Sequence, residues 1–417
     1  MGKDILKFGV VSGLGRGAYL ASLYSQHPKA ELVAMCDNDP TAFEKGRKVF
    51  GLKKGSYREY QDLDDMLSKE DMDWVFVATG DPTHYPLGKK VLQAGCNLFV
   101  EKPMCVTMEQ ADDLWKTEQE TGLAVVVGCE LRYHAAVIKF RDILRKGTIG
   151  KVVLGYCLST QKRGYGYFRS KYAHKSYGSP PLMQKGIHLT DLVIDLNNSD
   201  PVRVFASGGQ DLYGSRKECR GRVCTNCKEA DTCDFHFYNG ASIVKKKKDI
   251  NKKNPLPNEI TCVFDDRIDV NDNSLLLVDF ENGARMAVAE IFFAPENRWE
   301  FILQGTKGEA RLNMIMGPAV HKSTIEVFTF KDRRPRKVKI PPVEGSHGGG
   351  DIAMRDALVE AYLQGRRISP TAREGRAGIA TLIKAMESEE TGEIMEIPWP
   401  DIQKKSISPS LKKRGRR

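Results

Sequence analysis

The sequence predicts an α/β protein of two domains: an amino-terminal domain built on a parallel sheet and a carboxy-terminal α+β domain with a large, mostly antiparallel open sheet. Up to about residue 128, short apolar strands alternate with helices, which is typical of a parallel sheet covered on both faces. Beyond about residue 150, strand-like runs follow one another, which is typical of antiparallel pairing. A chain of 417 residues suits two domains, and 41% apolar with 28% charged residues excludes disordered, collagen-like and coiled-coil chains.

The elements follow from the apolar runs. In the first domain we expect strands at residues 8–11, 31–37, 75–78, 97–100 and 123–127, with helices near 84–94 and 108–121. In the second we expect strands at 152–160, 202–207, 260–268, 274–280, 284–292, 299–304 and 308–313, with helices near 183–197, 351–364 and 373–388. The predicted limits are 1–128 for the first domain, 129–400 for the second with a cysteine-rich insertion at about 211–258, and 401–417 for a basic tail.

The net charge of +10 is concentrated in the tail and in the run Lys245-Lys246-Lys247-Lys248. No aromatic residues interleave with these runs, so we interpret them as solvated segments and do not expect a nucleic-acid partner. No apolar run reaches the roughly 20 residues that span a bilayer, and the amino terminus enters a strand-like run without the pattern of a signal peptide. We therefore expect a cytoplasmic protein without a membrane partner.

A dinucleotide fingerprint lies between the first strand and the first helix, with Gly13, Gly15 and Ala18 at its three small positions. The first glycine permits a tight turn, and the second lets backbone N–H groups approach a pyrophosphate at the helix amino terminus. Asp37 ends the second strand, about 20 residues on, where a carboxylate binds the ribose hydroxyls. Because this carboxylate would repel a 2′-phosphate, the sequence predicts NAD rather than NADP.

Several motifs resemble those of the glucose–fructose oxidoreductase, inositol dehydrogenase and rhizopine-catabolism family (Gfo/Idh/MocA). The resemblance covers nearly the whole chain to about residue 398 and is carried by these segments: ATGDPTH at 78–84, VEKPM at 100–104, QKGIHLTD at 184–191, FENGA at 280–284, GTKG at 305–308 and HGGGD at 347–351. It implies an amino-terminal Rossmann domain and a second domain whose open sheet often forms oligomers, so a homodimer or homotetramer is expected. The motifs are specific to the family but not to any substrate.

The resemblance also locates the chemistry. Lys102 is expected where a substrate hydroxyl or carbonyl meets the nicotinamide, at the carboxyl end of a strand, where ligands sit in doubly wound sheets. Its ammonium can polarise a carbonyl or relay a proton, and Pro103 stiffens the turn that aims it. The cofactor contacts are expected from the residues of these loops: Thr79, Pro82, His84, Glu101 and Lys102. For Pro82 and His84 we expect backbone and packing roles rather than chemistry.

His188 matches the histidine of the family pattern Asp-x-Gly-x-His-x-x-Asp, but position 184 holds Gln instead of Asp. If one helix covers both, residues 184, 188 and 191 share a face. Gln184 can bind a substrate hydroxyl, but it can neither accept a proton nor stabilise an imidazolium by charge. The acid–base role then belongs to His188 with Lys102, or to another candidate: Tyr165, Tyr167 or His174. A buried His188 held by Asp191 is the structural alternative.

Arg132 and Tyr133 match a family position that often carries an arginine near the active site, so we predict that they bind substrate. A salt bridge at the domain interface is the alternative for this arginine. Asp351 precedes a late helix, where a capping role is expected, although the family geometry can bring His347 and Asp351 close to the site.

Four of the ten cysteines lie within fifteen residues, in the spacing Cys219-x4-Cys224-x2-Cys227-x5-Cys233. Such a set can fill a tetrahedral structural zinc site, and some branches of the family carry a similar Cys-x2-Cys-x5-Cys insertion. His236 or Cys129 could replace the first ligand, and an iron–sulfur cluster or free thiols are the alternatives. The other six cysteines stand singly among apolar neighbours, as small core residues do.

The resulting hypothesis is an NAD-dependent oxidoreductase that transfers a hydride between nicotinamide and a secondary alcohol of a sugar, cyclitol or related polyol. One alternative is an NAD-dependent glycoside-cleaving enzyme that works through a 3-keto intermediate and leaves no net redox change. Another is a non-catalytic, cofactor-binding protein, which the amide at position 184 makes plausible.

Overall fold

The structure is a computed structural model that describes residues 4–162, 164–224, 227–236, 261–316, 320–332 and 334–402. Six parallel strands form the first sheet in the order β3-β2-β1-β4-β5-β6. The strands are β1 Leu6–Val11, β2 Ala30–Cys36, β3 Arg58–Tyr60, β4 Trp74–Val77, β5 Asn97–Glu101 and β6 Val125–Gly128. The helices between them are α1 Gly15–Ser25, α2 Thr41–Phe50, α3 Leu63–Lys69, α4 His84–Gln93 and α5 Met108–Thr121.

This sheet confirms the predicted parallel domain. Its central strands are covered on both faces, so β4 and β5 are buried along their whole length. Strand β3 was not predicted, because its three residues are polar and largely exposed. The strand order reverses between β1 and β4, and in such sheets ligands bind beyond the carboxyl ends of the strands at this switch point.

Nine strands form the second sheet in the order β14-β13-β12-β11-β7-β10-β9-β8-β15. The pairing is antiparallel except between β7 and β10, so the sheet is mixed but mostly antiparallel, as predicted. Its strands are β7 Val152–Lys162, β8 Pro201–Gly209, β9 Asn273–Phe280, β10 Arg285–Ala294, β11 Arg298–Gly305, β12 Gly308–Met314, β13 Thr324–Thr329, β14 Arg336–Val338 and β15 Met395–Glu396. The helices are α6 Ala135–Arg145, α7 Tyr165–Phe168, α8 Pro181–Gln184, α9 Gly186–Asn197, α10 Gly350–Leu363 and α11 Ala372–Thr391.

Two predicted elements were wrong in detail. Residues 261–268 form no strand; they contribute only isolated bridges, at Thr261 and Asp265. The chain turns there because the Asp265 carboxylate accepts hydrogen bonds from the Gly221 and Arg267 amides. The single helix expected at 183–197 is two helices, α8 and α9, which meet at Lys185.

Helix α10 lies late in the chain but packs on the first sheet, where Met354, Leu358 and Tyr362 share a core with Phe8 and Phe76. The two sheets are thus joined by more than the link after β6, and the predicted domain limits stay a prediction.

The lysine run at 245–248 and the tail from 403 lie outside the described residues. No helix of the described chain has the length and apolar character needed to cross a bilayer, and the cytoplasmic location stays a prediction.

Candidate active site

A groove of about 820 Å³ runs along the carboxyl ends of the strands around the switch point between β1 and β4. Its walls come from the fingerprint loop, the end of β2 and the loop after β4. They include these residues: Ser12, Leu14, Gly15, Arg16, Asp37, Asn38, Ala78, Thr79, Gly80, Thr83 and Lys171. Three residues predicted to bind cofactor, Gly15, Asp37 and Thr79, therefore line one cavity.

The fingerprint loop has the backbone that the pattern predicts. Gly15 has a left-handed φ of 58°, and an added Cβ would meet nothing within 4 Å, so this position stays open toward a ligand. A Cβ on Gly17 would lie 2.5 Å from the Ser12 carbonyl oxygen, so helix α1 packs closely against the strand end. Ala18 is fully buried beneath the loop. This cradle fits the diphosphate of a dinucleotide.

Asp37 follows β2 and faces the same loop. Its carboxylate accepts hydrogen bonds from the Gly13 amide at 2.7 Å and the Asp39 amide at 2.9 Å. These contacts fix the carboxylate and leave each oxygen able to accept a further donor. The geometry fits a pair of ribose hydroxyls.

His84 connects the loop after β4 with the loop after β5. It is 1% exposed, and its ring nitrogens lie 2.8 Å from the Pro103 carbonyl oxygen and 3.2 Å from that of Thr79. The packing role expected for His84 agrees with this geometry. Pro82 lies in the short turn that leads into α4 and is not among the residues lining the groove.

A segment of the second domain, residues 164–181, closes over this loop. The buried Asp81 carboxylate accepts hydrogen bonds from Ser179 at 2.7 Å and Tyr172 at 3.2 Å. A Cβ on Gly80 would lie 3.1 Å from both the Lys171 ammonium and the Tyr177 hydroxyl. Sequence reasoning missed Asp81 and Lys171: the Asp81 carboxylate binds residues 172 and 179 of this segment to the loop after β4, and Lys171 lies beside Gly80 of that loop.

Lys102 lies just beyond β5, and its Nζ donates a hydrogen bond to the backbone carbonyl oxygen of Gln184 at 2.9 Å. That carbonyl is available because the helix breaks here. The His188 amide bonds Lys185 at 3.2 Å instead of Gln184, whose carbonyl an unbroken α-helix would have used. Residues 184 and 188 therefore do not share one helix face as predicted. The break between α8 and α9 forms a junction where the Gln184 carbonyl accepts a hydrogen bond from Lys102.

His188 is buried beside this junction, and its Nδ1 has no hydrogen-bond partner among the described residues. Burial, and then the positive charges of Lys102 and Lys185, hold the pKa of His188 well below its usual range. The imidazole is therefore neutral at physiological pH. Asp191 does not hold this histidine, because its carboxylate is taken by Arg132.

Arg132 is 1% exposed and lies in an ion-pair cluster whose members all belong to the second domain. Its Nε and Nη2 donate to Asp191 at 2.8 and 2.7 Å, and its Nη1 donates to Glu374 and Ser369. With these partners the geometry favours the salt-bridge alternative over substrate binding. The Tyr133 hydroxyl likewise donates to the Ser369 carbonyl at 2.6 Å. Substrate contacts for these two residues stay a prediction.

A second charged cluster, which sequence reasoning did not connect, lies between the fingerprint loop and the start of α10. Arg16 contacts the Glu101 and Asp351 carboxylates, each at 2.7 Å. The His347 Nδ1 lies 2.7 Å from the other Asp351 oxygen. Burial raises the pKa of the nearby Glu130 carboxyl against the charges of Arg16 and His347. Arg16 thus joins Glu101 and Asp351 across the domain interface. Asp351 forms a buried ion pair instead of the helix cap that the sequence predicts.

The cysteine cluster is more crowded than its spacing indicates. None of the ten cysteines, all of which lie in the described ranges, forms a disulfide. Five of them, with His236, line a small cavity of about 20 Å³: Cys219, Cys224, Cys227, Cys233 and Cys262. Cys262 was expected to be an isolated core residue, but it contacts Cys219. The Nε2 of His236 is engaged by the Cys224 carbonyl oxygen at 2.7 Å. Cys129, the other predicted alternative ligand, is buried in a separate hydrophobic core that contains none of these five cysteines.

Among the residues that the structure describes, no group of three or more His, Cys, Asp or Glu side chains is arranged to hold a metal ion. The thiols face one cavity without forming a closed ligand set. The zinc site stays a prediction.

Two sequence families match the chain. The family described as "Oxidoreductase family, NAD-binding Rossmann fold" matches residues 6–129, and the "GFO/IDH/MocA C-terminal domain" matches residues 137–311. Between them, these matches cover both sheets up to β12.

Individual relatives are distant. YteT of Bacillus subtilis (strain 168), named as an oxidoreductase, is 27% identical over 354 residues, which is 79% of this chain and 82% of YteT. D-glucoside 3-dehydrogenase of Escherichia coli (strain K12) is 25% identical over 202 residues, 48% of this chain and 56% of that enzyme. Levoglucosan dehydrogenase, solved in complex with NADH and levoglucosan, shares the fold with a TM-score of 0.73 at 18% identity, over 94% of this chain and 100% of that one.

Proposed function

The chain belongs to the Gfo/Idh/MocA oxidoreductase family, and from this membership we propose that it transfers a hydride between NAD and a secondary alcohol of a sugar, cyclitol or related polyol. The observation that carries the proposal is the junction where Lys102 meets Gln184 and His188, at the end of β5 and beside the dinucleotide groove. Relatives named as sugar dehydrogenases support the substrate class.

The residues of the groove supply the binding part of this function. The Gly13–Gly15 turn and the amino terminus of α1 receive the diphosphate, and Asp37 accepts the ribose hydroxyls. NAD bound there supplies the hydride acceptor. Asp37 favours NAD because no positively charged residue directly follows it to receive a 2′-phosphate.

Lys102 performs the next step. Its ammonium, held by the Gln184 carbonyl, donates a hydrogen bond to the reacting oxygen and stabilises the negative charge that develops when the O–H bond breaks. The proton goes to the neutral His188 when Lys102 is already an ammonium; if Lys102 enters the step as an amine, it takes the proton itself and becomes that ammonium. The neutral His188 accepts a hydrogen bond from the substrate hydroxyl, and the Gln184 side chain, whose Oε1 has no described partner, binds a neighbouring hydroxyl.

The experiment is a panel of sugars and cyclitols with NAD, in which NADH formation and product release are measured together. NADH formed in proportion to product supports the proposal. Product released without net NADH supports redox-neutral glycoside cleavage instead. Tight NAD binding without turnover of any compound supports a non-catalytic cofactor-binding protein.

We also propose that the outer face of the second sheet binds a second copy of the chain. A row of apolar side chains crosses four neighbouring strands there, with Phe205 opposite Leu277 and Tyr156 opposite Ala287. Leu154, Leu275 and Leu277 are 54, 46 and 53% exposed. An apolar patch of this kind marks an interaction surface, and the same flat face on two copies can pair around a two-fold axis.

For the cysteine cluster, the proposal is one structural zinc ion. Support comes from the five thiols around a cavity large enough for about one water molecule or ion. Arg169 donates to the Cys224 sulfur at 3.5 Å, and such cations favour thiolates.

A further inference from the structure

A lysine of the second domain lines the dinucleotide groove, and the proposed function gives it no role. Lys171 lies in a short helical turn, Lys171–Ala173, within the segment 164–181. It contributes to the wall of the groove together with Gly15 of the fingerprint loop and Thr79 of the loop after β4. The groove therefore receives a positive charge from outside the parallel sheet.

The glycine at position 80 makes room for this ammonium. The backbone of Gly80 has a φ of −78° and a ψ of 141°, an extended conformation that any residue can adopt, so conformation does not require glycine there. A Cβ at this position would lie 3.1 Å from the Lys171 Nζ and 3.1 Å from the Tyr177 hydroxyl, closer than an ordinary van der Waals contact. The loop after β4 thus lacks a side chain at the point where the segment reaches the groove.

Aromatic rings hold the ammonium at this point. The Lys171 Nζ is 4.5 Å from the ring centroid of Tyr177 and 5.7 Å from that of Tyr172, which is within the range of cation–π contacts. The rings pack edge to face with their centroids 5.3 Å apart. The Tyr172 hydroxyl donates to the buried Asp81 carboxylate at 3.2 Å, so this aromatic pair is tied to the loop after β4. Lys171 is therefore kept beside this loop although the residue is exposed.

Charge pairing distinguishes Lys171 from the other cations that line the groove. Arg16 contacts the Asp351 carboxylate at 2.7 Å, and the Lys90 ammonium contacts that of Asp64 at 2.6 Å. Within the part of the chain that the structure describes, no carboxylate forms an ion pair with the Lys171 ammonium. Its charge is therefore available to a ligand in the groove.

The dinucleotide carries the matching charge. Its diphosphate is anionic and binds at the switch point between β1 and β4, where the amides and the helix dipole of the fingerprint loop supply only partial positive charge. Lys171 lies beside the loop after β4, which forms the other side of this switch point. Asp37, which is expected to receive the ribose hydroxyls, follows β2 on the opposite side of β1. The position of Lys171 thus fits the diphosphate better than a 2′-phosphate.

We propose that Lys171 binds the diphosphate of the cofactor, so that the second domain contributes a contact to the dinucleotide site. This inference rests on the proposed function and deepens it. The ammonium donates a charge-assisted hydrogen bond to a phosphate oxygen, and it can do so only while the segment 164–181 lies against the loop after β4. Binding of the dinucleotide and docking of the segment therefore support each other.

The test is calorimetric titration of the full-length protein with NAD, NADP, ADP-ribose and adenosine. Lys171→Ala should weaken the binding of NAD and ADP-ribose by about tenfold, the size expected for a charge-assisted hydrogen bond at an exposed residue. Adenosine has no phosphate, so its affinity should not change. Lys171→Arg should keep most of the affinity for NAD, because a guanidinium also binds phosphate. Thermal unfolding without ligand should stay near the wild-type value in both variants.

Lys175→Ala is the matched control, because Lys175 lies in the same segment, does not line the groove, and contacts Glu390 at 2.7 Å. It should bind NAD as the wild type does. Hydrogen exchange gives a second readout that is independent of catalysis. ADP-ribose should slow the exchange of backbone amides at residues 171–178 in the wild type and in Lys175→Ala, but not in Lys171→Ala.

Wild-type affinity of Lys171→Ala for NAD and ADP-ribose would overturn the inference. A loss of affinity that adenosine shares equally, or one confined to NADP, would overturn it as well, because the ammonium would then not act on the diphosphate. Each of these results leaves the proposed function standing, since the wild-type protein still binds NAD. A wild-type protein that binds neither NAD nor NADP would instead defeat the proposed function, and this inference with it.

Discussion

The Nζ of Lys102 lies 2.9 Å from the backbone carbonyl oxygen of Gln184, so this lysine is held by the main chain and not by the side chain at position 184. The break between α8 and α9 frees this carbonyl. A substitution at position 184 can therefore change substrate contacts without releasing the lysine. The anchoring of Lys102 therefore does not depend on which side chain stands at position 184.

Lys102→Ala should nearly abolish turnover and leave NAD affinity within a few fold, because the ammonium acts on the substrate oxygen. Steady-state kinetics and calorimetric titration with NAD measure the two quantities. Lys116→Ala, on the exposed side of α5, is the control and should behave as wild type. If Lys102→Ala kept most of its activity, Lys102 would have no part in the mechanism.

Asp37→Ala should relax the preference for NAD, because the carboxylate that repels a 2′-phosphate is lost. The measurement is the ratio of kcat/KM for NAD and NADP in both proteins. The amide contacts of Gly13 and Asp39 are lost with the side chain, so affinity for NAD should also fall. Tighter binding of NADP than of NAD by the unaltered protein would show that the interpretation of the β2 end is wrong.

The contact between His347 and Asp351 should weaken as the pH rises. Burial alone would lower the pKa of His347, but the hydrogen bond to Asp351 and the charge of Glu130 outweigh burial and raise it. A raised folded-state pKa means that the stabilisation is complete below the ordinary value of about 6.5 and is lost as pH rises through the raised value. Hydrogen exchange at residues 344–351, corrected for intrinsic rates, should accelerate in that window. His347→Ala should remove the dependence of the exchange rate on pH. Equal protection of residues 344–351 below and above this window in the unaltered protein would contradict this account.

If the protein forms the proposed dimer, Leu277→Lys should convert it into monomers, because the substitution places a charge in the apolar row at the centre of the outer sheet face. Sedimentation velocity measures the assembly. Val49→Lys is the matched control, since Val49 is an exposed apolar residue on α2 of the other domain. A wild-type protein that sediments as a monomer at all concentrations would exclude this interface.

Freshly purified, reduced protein should contain about one equivalent of zinc per chain. Cys227→Ser should lower the metal content and speed proteolysis near residues 215–236, because metal binding and local folding are coupled. Cys105→Ser is the control and should retain the metal. Cys105 is a buried thiol far from the cluster in the sequence, and a serine can keep its hydrogen bond to Thr107. Elemental analysis without zinc or iron would mean that the cluster consists of ordinary thiols.

Both sheets and the cofactor groove could be predicted from the sequence, since apolar periodicity and the glycine fingerprint are local signals. The helix break at Lys185 could not, because it depends on tertiary contacts. Cys262 joins the other thiols only through the fold, 29 residues after Cys233. One buried carboxylate did leave a signal: Glu290 on β10 alternates with Met286 and Val288 on the inward face of a predicted strand, where a carboxylate is rare.

The partners of Arg132 were equally hidden, because Asp191, Glu374 and Ser369 are distant in sequence. An isolated Arg-Tyr pair after a strand gives no indication of how many carboxylates will surround it. Removing one partner of such a buried pair costs about 3–5 kcal/mol, because the other charge is left uncompensated. The cluster can be recognised only when these distant segments of the second domain are assembled.

The most direct test of hydride transfer uses a substrate from the sugar panel that carries deuterium at the reacting carbinol carbon. Protein in excess over substrate is mixed with NAD, the reaction is stopped within one turnover, and the cofactor is analysed by mass spectrometry. The account predicts one deuterium on the reduced nicotinamide and a matching amount of ketone. Conversion of the sugar with the cofactor left unlabelled would contradict it.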